Sequence, residues 1–254
     1  KFRRVHEFLS SNHPVLHAAN EHFISYIQNL SIGSNMSKKF VFVILAIILI
    51  CGLILIVSVT LKKGAIYNEN KNEWYNTIQD AINHASEGDK IKIYPGLYRE
   101  NIVVNKSLII EGCDRDKVII EQGDKSVIAF RVISSNTTIR NLTICNSHFG
   151  IYLFYAKRNK IINTKVVNCT LAILINHSNE TLVKDNVILN STCVGIEVYY
   201  SLNNTLIANK IIGVKGEYGA IFISHSNNNE IKANLIMDNS YGIMLLNLSL
   251  IHIS

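Results

Sequence analysis

The sequence predicts an all-β solenoid of stacked parallel coils, opened by a short helix and preceded by one membrane-spanning helix. Three observations predict it. The pairs Gly150-Ile151, Ala172-Ile173, Gly195-Ile196, Ala220-Ile221 and Gly242-Ile243 recur at steps of 22, 23, 25 and 22 residues. Asn141, Asn163, Asn186, Asn209 and Asn234 recur at steps of 22, 23, 23 and 25. A period in this range marks one structural unit per repeat, each stacked on the last. Residues 40–61, finally, form 22 uncharged and almost wholly apolar positions. As a helix this run spans roughly 33 Å, enough to cross a bilayer core.

Along the chain, the elements follow in order. Residues 1–35 precede Met36 and read as an upstream or cytoplasmic segment without strong order. Residues 36–63 read as an uncleaved signal anchor whose membrane helix is 40–61. Lys38-Lys39 and Lys62-Lys63 flank it on both sides, so charge orients it only weakly. The large domain that follows favours an outside C-terminus. Residues 64–73 read as a polar linker. Ile78, Ala81, Ile82 and Ala85 then fall on one helical face. Thr77 suits the N-cap and Asp80 the positive first turn. Such an amphipathic helix would shield the first coil, because a terminal repeat exposes its core. The β-helix itself is assigned to 74–254 and reads as cut short at its C-terminus. Residues 249–254 read as a sequencing-derived tail.

Within the coils, stacking at ~4.8 Å places like residues above like. Ile151, Ile173, Ile196, Ile221 and Ile243 form one inward ladder, and Leu153, Ile175, Val198, Ile223 and Leu245 a second. Tight corners require left-handed backbone, which Asn and Gly tolerate best. The five-asparagine column is therefore read as structural, its amides bonding along the stack.

Composition narrows the function. The chain is 48% hydrophobic and 17% charged with a net charge of +6, which excludes general disorder. Much of the positive charge flanks the apolar run. No basic stripe with interleaved aromatics marks the repeats, so no nucleic-acid partner is expected. The cysteines form no C-x-x-C pair. They read as buried thiols, with a Cys169–Cys193 bridge as the alternative outside the cell.

The opening Thr77-Ile-Gln-Asp-Ala-Ile, with Gly88-Asp-Lys-Ile-Lys-Ile-Tyr-Pro-Gly-Leu-Tyr, resembles right-handed parallel β-helix proteins of the pectin lyase-like superfamily. The Gly-Ile coils from 118 onward resemble its NosD-like branch, the carbohydrate-binding and sugar-hydrolysis domain. The resemblance covers residues 74–248. It implies three functional classes, namely polysaccharide cleavage, surface glycan binding, and accessory work in copper-enzyme maturation. Fold alone does not choose among them.

The residues weigh these classes differently. Cleavage needs paired carboxylates. Glu197 stands between Leu174 and Phe222 in its column, and Asp185 is read in line with Arg140 and Ile162, so no catalytic residues are assigned. His177 and His225 share a column two coils apart, ~9.6 Å, too far for one metal. No metal site or cofactor is assigned, and these histidines read as solvated turn residues. Tyr152, Glu197 and Phe222 share one outward column, and Phe154 and Tyr199 the next. Aromatic faces beside polar edges suit sugar rings. The expected function is thus a membrane-anchored, extracytoplasmic module that binds a surface polysaccharide or serves structurally. The alternatives are a lyase or glycoside hydrolase of the same fold, or a NosD-like accessory protein. Sequons at Asn105, Asn136, Asn141, Asn168, Asn176, Asn179, Asn190, Asn203 and Asn247 would matter only outside the cytoplasm. Of these, Asn141 is expected in the interior.

Overall fold

The computed structural model describes residues 65–123, 126–248 and 251–253. The expected segment 1–35, the signal anchor 36–63 and its membrane helix 40–61 lie outside them. Among the described residues no helix is long and apolar enough to cross a membrane.

Three strands per coil repeat from residue 90 onward, and they assemble three sheets. The first sheet is 10-stranded and the other two are 7-stranded. Strands of successive coils pair in parallel, as in Ile151↔Ile173↔Ile196↔Ile221↔Ile243. The two inward ladders of the third sheet fill the interior. From Ile151 to Ile221 and from Leu153 to Ile223 every member is at most 1% exposed. Each such side chain contributes roughly 1.5–3 kcal/mol on burial. Ile251–Ile253 continues the first sheet, pairing with Asn229–Ile231, so this part of the expected tail carries on the register of the coils.

The segment expected as a linker behaves differently. Ile66–Asn68 is a strand, paired antiparallel with Glu73–Tyr75 on one side and with Ile91–Ile93 on the other. Ile66 is fully buried, and Asn68 donates to the Asp89 carboxylate at 2.8 Å. Three residues are too few to display a period of two, and the Asn-rich surroundings masked the strand.

Residues Ile78–His84 form α1, with Ile78, Ala81 and Ile82 buried. The Thr77 hydroxyl accepts from the Asp80 N–H at 3.1 Å. The first coil supplies charge to both helix ends. The Glu100 carboxylate accepts from the N–H groups of Ile78 and Gln79, both at 3.0 Å. The Lys106 ammonium donates to the carbonyls of Ile82, Asn83 and Ala85 at 3.1, 2.7 and 2.7 Å. Anion at the N-terminus and cation at the C-terminus both oppose the helix dipole.

The asparagine column is corrected. The five residues belong to two adjacent columns. Asn141 and Asn163 align with Asp185, Ala208 and Ala233, all in left-handed conformation with φ between 48° and 58°. Asn186, Asn209 and Asn234 stand one residue later, beside Thr164. The spacing misled because 141, 163 and 185 step by 22, so matching residue type slid the column by one. Asp185 is corrected with it, since its neighbour below is Asn163 and not Ile162. Asn141 is half-buried rather than interior, donating to Glu111 and accepting from Asn163. Asn186, Asn209 and Asn234 do form an internal ladder. Asn209 Oδ1 accepts from the Asn186 N–H and amide, while its Nδ2 reaches the Val183 carbonyl at 2.9 Å.

Two further ladders escaped the sequence reading. Thr181, Asn204 and Asn229 are joined from N–H to Oδ1 at 2.8 and 2.9 Å. Ser178, Ser201 and Ser226 are joined from N–H to Oγ, both steps at 2.9 Å. Their steps of 23 and 25 were visible, but small polar residues are common enough to hide them. The alternative Cys169–Cys193 bridge is not formed. Cys169 points into the core, its Sγ 3.1 Å from Ser147 Oγ. Cys193 pairs across from Thr170, one position further on, and packs on an outer apolar cluster.

Candidate functional site

The outer face of the third sheet carries the candidate residues. Its strands Phe149–Phe154, Leu171–Asn176, Val194–Tyr199, Gly219–Ser224 and Ile243–Leu246 alternate sides. Their outward positions stack in register. One column runs Arg131, Tyr152, Leu174, Glu197, Phe222, Met244. The next runs Phe154, Asn176, Tyr199, Ser224, Leu246.

These columns divide the candidates into two groups. Phe222 joins Leu171, Leu174 and Val194 in an outer apolar cluster, with Phe149, Tyr152, Cys193 and Met244 packed against it. Glu197 lies between Leu174 and Phe222 in this apolar column. Burial pushes its carboxyl above the ordinary range. The second group is aromatic. Tyr152 sits 5.5 Å from both Phe149 and Phe154, between ring centroids.

Phe154 and Tyr199 do not touch, because Asn176 separates them in their column. A third column joins them. At the corner after each strand stand Tyr155, His177, Tyr200 and His225. Their rings stack at 4.7, 5.2 and 4.7 Å, with interplanar angles of 28°, 25° and 25°. Phe154 meets Tyr155 edge-on at 4.5 Å, and Tyr199 meets Tyr200 at 4.4 Å. The result is a continuous ridge from Phe149 through the corner stack to Tyr199 and His225. The histidines expected as solvated turns are thus built into the stack. His177 is half-buried between two tyrosines.

The corner is costly for such residues. All four hold left-handed backbone, with φ of 51°, 47°, 46° and 49°. For a bulky L-residue this costs about 1–2 kcal/mol, which ring stacking at about 0.5–1.5 kcal/mol per pair offsets. Hydrogen bonds fix the imidazoles. His177 Nδ1 donates to Asn176 Oδ1 at 2.6 Å, and Asn176 Nδ2 donates to the Tyr152 hydroxyl at 3.3 Å. Asn247 Nδ2 donates to His225 Nε2 at 2.9 Å, which makes that nitrogen the acceptor and leaves Nδ1–H for Ser224 Oγ at 2.8 Å. Ring faces are largely used up within the stack. Tyr155 and Tyr200 remain 64% and 44% exposed. Sequence periodicity located this column, but the stacking could be read only once register was known.

The architecture defines a parallel β-helix with an aromatic corner ridge. The chain belongs to the family described as "Periplasmic copper-binding protein (NosD)", which matches residues 82–252. Among curated relatives, a cell surface glycoprotein of Methanothermus fervidus is 29% identical, over 75% of this chain and 38% of that one. The chain thus spans well under half of that relative's length. Among solved structures, a pectin methylesterase bound to a hexasaccharide shares 14% identity, with a TM-score of 0.44 over 64% of this chain and 63% of that chain. The A-module of the Azotobacter vinelandii mannuronan C-5 epimerase AlgE6 shares 15%, with a TM-score of 0.42 over 69% and 70%.

The family's description raises copper. Copper sites gather imidazole, thiolate or thioether donors around one point. Among the described residues, no three His, Cys, Asp or Glu side chains come together in that way. Tyr200 separates His177 from His225, and Asn247 occupies His225 Nε2. The described donor set does not fit a copper centre.

Proposed function

We propose that this chain is an extracytoplasmic surface protein, held at a membrane by residues 40–61, which binds polysaccharide along the aromatic ridge of its third sheet. The ridge carries the reading. It places aromatic edges, hydroxyls, amides and imidazoles in one line along the coils, and a repeating polymer presents repeating contacts to such a line. Helix α1 closes the N-terminal end of the stack in this reading. The periplasmic description of the family and the cell-surface relative support the location. The isolation of Glu197, with Leu174 and Phe222 as its column neighbours, supports binding rather than hydrolysis, which needs a second carboxylate.

A glycan array probed with the full chain tests the binding. Retention of one or more acidic or neutral polysaccharides is expected, weakened at least tenfold by Tyr155→Ala combined with Tyr200→Ala. An array without binders, or binding untouched by the double variant, would refute it. Membrane fractionation and protease accessibility on intact cells test the location separately.

A further inference from the structure

Nine sequons have their asparagine among the described residues, and the coils treat them unequally. A sequon can carry a sugar in the folded protein only if two groups are available, the asparagine amide and the hydroxyl two residues on. In most of the nine, one or both are committed. Asn141 Nδ2 donates to Glu111, and Asn176 Nδ2 donates to Tyr152. Asn247 Nδ2 is held by His225. Asn136 Oδ1 accepts from the Arg158 guanidinium at 3.0 Å, and Asn179 Oδ1 from the Leu202 N–H at 2.8 Å. Asn105 is exposed, but its partner Ser107 donates its hydroxyl to the Asn136 carbonyl.

Three sequons meet both conditions. They are Asn168-Cys-Thr170, Asn190-Ser-Thr192 and Asn203-Asn-Thr205. All three asparagines are exposed at outer corners, with φ of 55°, 56° and 56°. Among the described residues neither these amides nor these threonine hydroxyls hold a hydrogen bond, and the Asn190 amide lies over Gly213 of the next coil, where a Cβ would stand 2.5 Å from its Oδ1. Attachment there breaks no ladder. At Asn176 it would cost the bond to Tyr152 and intrude on the ridge.

We infer that Asn168, Asn190 and Asn203 are sites of N-linked glycosylation, and that the other six of these nine stay bare when the coils are folded. The donor is a sugar carried on a lipid diphosphate. The asparagine Nδ2 attacks the sugar's C1, and an N–C1 bond forms. The C1–O bond to the diphosphate breaks, the lipid diphosphate leaves, and the amide gives up one proton to a base of the transferase. Asn168 and Asn190 share a corner one coil apart, ~4.8 Å, so a glycan on one crowds the other. Each molecule then carries sugar on Asn203 and on one of that pair.

The inference rests on the extracytoplasmic reading, but its test does not depend on where the chain resides. The purified full chain is incubated with a single-subunit archaeal oligosaccharyltransferase and its lipid-linked oligosaccharide, folded in one sample and urea-unfolded in the other. Peptide mass spectrometry then maps the sites. The folded chain is expected to gain sugar at Asn203 and at Asn168 or Asn190. The unfolded chain is expected to gain it at Asn141, Asn176 and Asn179 as well. Asn203→Gln should remove one glycan from the folded product and no other. Folded chain without sugar at all three positions, or with equal modification at Asn141, Asn176 and Asn179, overturns the inference.

Discussion

Single side chains in this protein divide into those that join coils in the buried interior and those that join them at a half-exposed corner. Asn209 belongs to the first kind. It satisfies the Asn186 N–H and reaches the Val183 carbonyl, and it is 1% exposed. Asn209→Ala leaves those buried groups without partners, so a loss of about 2–4 kcal/mol is expected in urea unfolding. Asn163 belongs to the second kind, bonded to Asn141 and Arg115 at a half-buried corner. Asn163→Ala should cost about 1 kcal/mol or less. Equal costs would contradict the division into two columns. Glu197 makes the opposite contribution. Its folded carboxyl titrates above its unfolded value because burial disfavours the charge. The folded state therefore binds the proton more tightly, and stability falls as pH rises from the ordinary carboxylate range to the raised value. Above that value the penalty is constant. Glu197→Gln should be more stable than the parent at pH 7, with the gain shrinking toward pH 4 in chemical denaturation.

At the scale of elements, the small residues at the start of each third-sheet strand set how closely coils approach. A Cβ on Gly195 would stand 2.4 Å from the Ala220 carbonyl oxygen and 2.8 Å from Ile211 Cγ2. Backbone must move to admit it, so Gly195→Ala should cost about 1–3 kcal/mol. Gly242 occupies the same column, yet a Cβ there meets nothing within 4 Å. Gly242→Ala should stay within about 0.5 kcal/mol of the parent, as thermal melts would show. This column was legible in the sequence because Gly and Ala admit few alternatives and the following Ile repeats in every coil from Ile151 to Ile243, with Phe130 in the coil before. The inward ladders were legible for the same reason. What escaped was register at single-residue precision. Asn141 and Asn186 look alike in a sequence, but a corner and an interior position are adjacent residues. The strand Ile66–Asn68 escaped because its partners, Glu73–Tyr75 and Ile91–Ile93, define it more than its own pattern does. On the aromatic face, membership of each column could be read. The connection from Phe154 to Tyr199 could not, since it runs through Tyr155, His177 and Tyr200 of the corner stack.

For the molecule as a whole, a solenoid joins each coil only to its neighbours, so stability varies along the axis with what each interface contains. The N-terminal interfaces depend on ionised carboxylates. Glu111 would be raised by burial, but Lys90 and Arg140 outweigh this and hold it below the ordinary range. Asp89 would likewise be raised by burial. The Asn68 amide and the Ser86 N–H, with Lys71 and Lys106, bring it down. Both folded values are depressed, so their stabilisation is present above the unfolded carboxylate range and lost as pH falls through the folded values. The middle coils rely on Asn, Ser and Ile ladders with no ionised member. Acid should therefore loosen the N-terminal coils first. In hydrogen exchange corrected for intrinsic rates, amides of Lys90–Ile93 and Ile109–Gly112 should lose protection between pH 5 and pH 3. Those of Leu171–Asn176 and Val194–Tyr199 should keep theirs. Glu111→Gln should reduce N-terminal protection at pH 6 to near its acid level, because the amide cannot reproduce the charge that Lys90 and Arg140 face. A uniform loss along all the coils, or loss beginning at the middle, would mean that the carboxylates do not set the weak end.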